Sequence, residues 1–167
     1  MPELPEVETI RRDLEGRIIR KKIADVEVRG KKIVKTNLKD FLRTLKGNQF
    51  SKIDRRGKLL ILHLETPFPS GEKGFLLVHL KMTGQLIYRY NHKTIAGGHN
   101  LPKNIGELPN KFTHLIFSFA DKSKLYYNDM RKFGYMKIVR EEEKNKILAD
   151  NFGIDAMDEK FSLAVFK

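Results

Sequence analysis

Between Gln49 and Val139 the chain falls into short runs of strand length, apolar or alternating, each closed by a polar or glycine-bearing break. This rhythm constrains the fold more than anything else in the sequence. The runs cover 49–55, 58–64, 75–80, 85–90, 112–119, 124–128 and 135–139. Alternation sends successive side chains to opposite faces of a sheet, and unbroken apolar runs mark strands covered on both faces. Tight turns are expected at Arg56-Gly57 and at Asp121-Lys122-Ser123, which make neighbouring runs antiparallel. With one more strand expected at 23–28, the chain reads as mostly β with some α: an antiparallel β-sandwich of about eight strands with an N-terminal helix.

The helical pattern is confined to the flanks. Val7, Ile10, Leu14 and Ile18 recur at helical spacing and predict a helix from Pro5 to Gly16, with Pro5 suited to a first helical position. Leu38, Phe41, Leu42 and Leu45 predict a second, stopped by Gly47. The stretch 91–111, rich in Gly, Asn and Pro and without periodicity, reads as a long surface loop. Residues 141–149 read as a charged outer helix. We expect one domain over 1–150. Residues 151–167 read as a linker and the start of a further helical domain, because Phe161, Leu163, Ala164, Val165 and Phe166 form an apolar face with no partner in the chain. The sequence is therefore expected to continue beyond Lys167.

Charge narrows the partner. Thirty-three Lys and Arg against 21 Asp and Glu give a formal net charge of +12, which attracts a polyanion. Nucleic acid fits best. A membrane surface is disfavoured because the cations are spread along the chain and no apolar run reaches transmembrane length. The N-terminus lacks the basic-then-apolar order of a secretory signal. With no cysteine, the chain has neither a disulfide nor a thiolate zinc site, which suits a reducing cytoplasm. A monomer is expected.

The first residues, Met1-Pro2-Glu3-Leu4-Pro5-Glu6, allow an unusual chemistry. If Met1 is removed, Pro2 carries a free secondary amine with a pKa near ~8, able to attack an electrophilic carbon and form an iminium. Glu3 would then stand beside it to move protons. The plainer reading is a helix start, with acidic residues complementing the helix dipole.

Three further segments stand at predicted turns. Arg55-Arg56-Gly57-Lys58 displays cations on a hairpin, suited to phosphate or simply to solvent. His79-Leu80-Lys81-Met82-Thr83-Gly84 leaves an apolar strand and puts Met82 at a loop tip, where it either wedges between bases or folds back onto the core. Asn128-Asp129-Met130-Arg131-Lys132-Phe133-Gly134 is similar: Phe133 is a second wedge or the start of a strand, and Arg131 can reach a base edge. Among the histidines, His63 reads as structural, His92 and His99 have no metal-ligand spacing, and His114 should face outward, since it alternates with Leu115, Phe117 and Phe119. No metal ligand is assigned.

Taken in order, Pro2-Glu3-Leu4-Pro5-Glu6-Val7-Glu8-Thr9, Arg56-Gly57-Lys58, His79 to Gly84 and Asp129 to Gly134 closely resemble the N-terminal domain of formamidopyrimidine-DNA glycosylase. Leu4 fits this branch better than the related endonuclease VIII branch, which has glycine there. The resemblance implies a base-excision-repair glycosylase and AP lyase acting on double-stranded DNA with oxidised purines, 8-oxoguanine and formamidopyrimidines. In that reading Pro2 attacks C1′ to give a Schiff base, Glu3 transfers protons, Glu6 supports the site, and the abasic strand is cut by β,δ-elimination. Lys58 and His79 contact phosphate, while Met82, Arg131 and Phe133 fill the hole left by the flipped nucleotide, Arg131 facing the orphaned cytosine. His114 is a further DNA-contact candidate, because Phe112 stands where many members have a contacting histidine. Met130 replaces a common proline, and the 91–111 stretch is longer than expected. No cofactor is expected in these residues, since the family's zinc finger would lie beyond Lys167. A non-catalytic basic DNA-binding sandwich is the alternative.

Overall fold

The computed structural model describes residues 4–91, 93–98 and 107–151. Helix α1 (Leu4–Ile18) is followed by β1 (Ile23–Val28), a single 3₁₀ turn (Lys31–Ile33) and α2 (Leu38–Leu45). Eight strands come next: β2 (Phe50–Arg56), β3 (Leu59–Leu64), β4 (Gly74–His79), β5 (Gly84–Tyr90), β6 (Lys93–Gly98), β7 (Thr113–Phe119), β8 (Lys124–Asp129) and β9 (Tyr135–Arg140). Helix α3 (Glu141–Asn151) ends the described chain.

Two antiparallel sheets form the sandwich, ordered β1-β7-β8-β5-β6 and β2-β3-β4-β9. Between them lies one apolar core that also takes Val7, Ile10, Leu14 and Ile18 from α1 and Phe41 and Leu45 from α2. Each such side chain contributes about 1.5–3 kcal/mol on leaving water, so α1 belongs to the core and is not an appendage. The unbroken runs of β3 and β4 have a second apolar face: Leu59, Ile61, Phe75, Leu77 and Val139 are covered by Ile147 and Leu148 of α3. That covering explains why these strands do not alternate. Asn37 starts α2 by accepting a hydrogen bond from the Asp40 amide at 3.2 Å, and Gly47, at a φ of 83°, follows its end.

Two sequence expectations need correction. The 91–111 stretch is not all loop, since β6 pairs with β5 from Tyr90↔Lys93 to Gln85↔Gly98. As the edge strand of its sheet, β6 is held by backbone pairing, and its sequence Lys-Thr-Ile-Ala-Gly-Gly carries no alternation to betray it. His114, expected to face outward, is buried: it is 4 % exposed, beside a register shift of the β7–β8 pair between Thr113 and Leu115, and the segment at Gly30 lies against its ring. The reading of 151–167 as a linker and new helix lies almost wholly outside the described residues.

Candidate nucleic-acid interface

Two connections cross from one sheet to the other at the same end of the sandwich. Residues 80–83 join β4 to β5, and residues 130–134 join β8 to β9. Because β4 pairs with β9 (His79↔Tyr135) and β5 with β8 (Gly84↔Asp129), the two corners lie side by side. Each contains a lysine in the left-handed region, Lys81 at φ 52° and Lys132 at φ 59°.

The corners present what the sequence led us to expect at their tips. Met82 is 44 % exposed and Phe133 56 %, joined by Met130 at 64 %. Arg131 is exposed, with its guanidinium 4.0 Å from the Met82 sulfur. Among the described residues, whose other large apolar side chains are mostly buried, three of the four exposed ones sit at this single end, among cations.

Lys58 reaches the same end from the β2–β3 hairpin, whose turn is made by Gly57 at φ 56°. Its neighbour Leu59 pairs with His79, the last residue of β4. His79 is buried, and its Nδ1 accepts the Lys81 amide at 3.0 Å, which places the ring proton on Nε2. Burial, with Lys81 and then Lys58 close by, brings its pKa down to about 4. His79 is therefore neutral at physiological pH, with its ring proton on Nε2.

Helix α1 enters through a buried charge network. Glu8 accepts hydrogen bonds from Arg11 at 2.8 and 2.9 Å, from Arg55 at 3.0 Å and from Arg12 at 2.8 Å. Arg11, then Arg55 and Arg12, hold its carboxyl down at about 2 against the opposing effect of burial. Arg55 also donates to the Gly57 carbonyl at 3.0 Å. One guanidinium thus ties the first turns of α1 to the turn carrying Lys58. Glu6 lies half-buried on that part of α1, and Pro2 and Glu3 fall outside the described residues.

Asp129 joins the corners. Only 1 % exposed, it accepts through Oδ1 from the Thr83 hydroxyl (2.5 Å) and from the amides of Arg131 (3.2 Å) and Lys132 (3.0 Å). Through Oδ2 it accepts from the Tyr127 hydroxyl (2.8 Å) and the Gly134 amide (2.9 Å). His114, 4 % exposed, donates from Nε2 to the Asp129 carbonyl at 2.7 Å and lies under Gly30, where a β-carbon would meet its ring at 2.5 Å. It is a support behind the interface and not a contact residue on it. Sequence reasoning missed Thr83, Asp129 and the Glu8–Arg55 pair as supports. The available signal was an Asp opening a turn of positive-φ and glycine residues, where its carboxylate commonly collects backbone amides. Among the described residues no group of three His, Asp or Glu is placed to hold a metal ion, and no helix is long and apolar enough to cross a membrane.

A two-sheet sandwich with an N-terminal helix in its core, and with cations and apolar tips gathered on two adjoining corners, defines the class: a helix-plus-sandwich domain with a basic, apolar-tipped end. The family model for the formamidopyrimidine-DNA glycosylase N-terminal domain matches residues 1–136, and the chain belongs to that family. Formamidopyrimidine-DNA glycosylase of Ligilactobacillus salivarius is 36 % identical over 140 residues, covering 84 % of this chain and 44 % of its own length. The Streptococcus pneumoniae protein is 34 % identical over 168 residues, covering 100 % of this chain and 54 % of its own. The Lactococcus lactis Fpg bound to DNA containing N7-benzyl-Fapy-dG superposes with a TM-score of 0.70 at 32 % identity, over 89 % of this chain and 47 % of that one. The chain spans about half the length of the relatives it matches.

Proposed function

We propose that these residues form the N-terminal catalytic half of a DNA glycosylase and AP lyase that removes oxidised purines from double-stranded DNA. The observation that carries this reading is the gathering of Met82, Arg131 and Phe133 with Lys58 and His79 at one end of the sandwich, at the positions of the family's motifs. The names of the relatives support it, as does the binding of the Lactococcus lactis protein to DNA with a modified formamidopyrimidine and to DNA with an abasic site. Reaching a glycosidic bond inside a duplex requires extrusion of the nucleotide, at a cost of about a few kcal/mol. Apolar wedges that occupy the vacated stack, and cations that grip the phosphates, offset that cost.

The chemistry is assigned to Pro2 after removal of Met1. Its nitrogen bonds to C1′ as the glycosidic bond breaks and the base departs with a proton. Sugar-ring opening then gives the iminium. Loss of a C2′ proton expels the 3′ phosphate, a second elimination expels the 5′ phosphate, and water releases Pro2. Glu3 is assigned the proton transfers, with Glu6 supporting the site. Lys58 and His79 are assigned to phosphate, and Arg131 to the orphaned cytosine.

Borohydride trapping of the full-length protein on a duplex holding 8-oxoguanine opposite cytosine tests this. We expect a covalent adduct whose N-terminal peptide begins at Pro2, strongly reduced by Pro2→Gly. Absence of an adduct with the unaltered protein, alongside salt-sensitive binding indifferent to the lesion, would mean a non-catalytic DNA-binding domain. The 167 residues alone should excise weakly, because fewer phosphate contacts lower affinity steeply at physiological salt.

A further inference from the structure

Asp129 has no place in the chemistry above, yet both oxygens of its buried carboxylate are engaged in the interface. Five hydrogen bonds reach its two carboxylate oxygens, and they come from both corners. The Thr83 hydroxyl gives its proton to Asp129 and in turn accepts the Arg131 amide at 3.0 Å, so the two corners are also bonded directly. Three of the five donors are backbone amides of residues 131, 132 and 134, which bracket Arg131 and Phe133. Bonds of this kind fix φ and ψ of the segment, and they set where its side chains start from.

The surroundings leave little room for another arrangement. A β-carbon on Gly134 would lie 1.9 Å from the Tyr127 hydroxyl and 2.9 Å from Asp129 Oδ2. One on Gly84 would lie 2.5 Å from the Leu80 carbonyl and 2.8 Å from the same hydroxyl. Burial pushes the Tyr127 phenol far above its ordinary range, with Asp129 adding to the effect, so the hydroxyl stays a donor. From behind, His114 holds the Asp129 carbonyl, and its own carbonyl accepts the Arg29 and Gly30 amides at 2.8 and 3.1 Å.

We propose that Asp129, with Thr83, is a positioning residue that locks the two corners into one preformed arrangement, so that Met82, Arg131 and Phe133 enter the DNA stack without first having to be ordered. This rests on the reading of the corners as DNA wedges given above. Without the carboxylate, one or two residues of the 131–134 segment would have to be fixed at the moment of binding, and the free energy available for holding an opened duplex would fall by that amount.

The test uses Asp129→Asn and, because that change may disturb folding, the milder pair Thr83→Val and Thr83→Ser. Amide hydrogen exchange of the free protein should be slow at Arg131, Lys132 and Gly134, faster in Asp129→Asn and Thr83→Val, and restored in Thr83→Ser. Binding is then measured to a duplex with a tetrahydrofuran abasic analogue opposite cytosine and to the intact duplex, with 2-aminopurine beside the gap reporting unstacking. The preference for the gapped duplex should fall about tenfold in Asp129→Asn and Thr83→Val, as expected when one or two residues must be ordered on binding, while the salt dependence keeps its slope and Thr83→Ser keeps the preference. Unchanged exchange in Asp129→Asn, or faster exchange with the preference kept within twofold, would overturn the proposal and leave the wedge reading intact. An unaltered protein that shows no preference and no 2-aminopurine response, even when saturated with DNA, would overturn the wedge reading and this inference with it.

Discussion

A buried histidine between two lysines makes the residue scale measurable. His79 takes up a proton only near pH 4 in the folded protein but near 6.5 once unfolded, so between those values the unfolded chain binds more protons. Stability should be fully present above pH 6.5 and decline as pH falls toward 4. Urea midpoints of the native protein and of His79→Gln between pH 7.5 and 4.5 check this, the variant showing the shallower decline. Gly134 supplies a second residue-scale prediction. Gly134→Ala should destabilise by about 2–3 kcal/mol by overpacking, and by less in a Tyr127→Phe background, which removes the hydroxyl 1.9 Å away. For the tip residues Met82 and Phe133 the turns left two readings open, exposed tip or core side chain, and the resemblance of the two segments to the family's motifs chose the first; both side chains are exposed, as is Arg131. Asp129 was not legible in the sequence, because a buried aspartate and a solvated one look alike until the chain brings the Thr83 hydroxyl and the amides of 131, 132 and 134 around it. His114 was misjudged because alternation assigns a face and not what covers it: the segment at Gly30 closes over its ring.

Elements were read better than residues where a pattern belonged to side chains. The spacing of Val7, Ile10, Leu14 and Ile18 located α1, and all four are in the core. The runs from 49 to 139 located seven strands to within a residue or so at most ends. Strand β6 escaped because main-chain pairing leaves no mark on composition. What no pattern could give is how α1 is held against the hairpin. The Arg55 side chain is 6 % exposed between Glu8 and the Gly57 carbonyl, so Arg55→Ala removes one of the three arginines that satisfy a buried carboxylate and leaves it Arg11 and Arg12. A loss of about 1.5–3 kcal/mol is expected in urea unfolding, the range for a hydrogen bond to a charged group. The double variant Glu8→Gln/Arg55→Met should lose less than the sum of the two single changes, because the Glu8–Arg55 bond is then lost only once.

At the scale of the whole molecule, the apolar core shared by both sheets, α1 and α2 makes the described region one cooperative unit, and the interface is assembled where the sheets meet. The donors to Asp129 range from residue 83 to residue 134, and the corners they close join strands from opposite sheets. Contacts across such separations are made only after the chain has been brought together at an entropic cost that rises with loop length. The adjoining corners are therefore expected to close late: a chain that has collapsed but not closed them carries the positive charge and lacks the ordered tips. Pulse-labelled exchange during refolding should show the amides of Arg131, Lys132 and Gly134 gaining protection together with that of Gly84, and after those of the β2–β3 hairpin. A newly made chain at that stage would already carry its full positive charge while the tips at the two corners were still unplaced, and they would be fixed only when the last carboxylate bond closes.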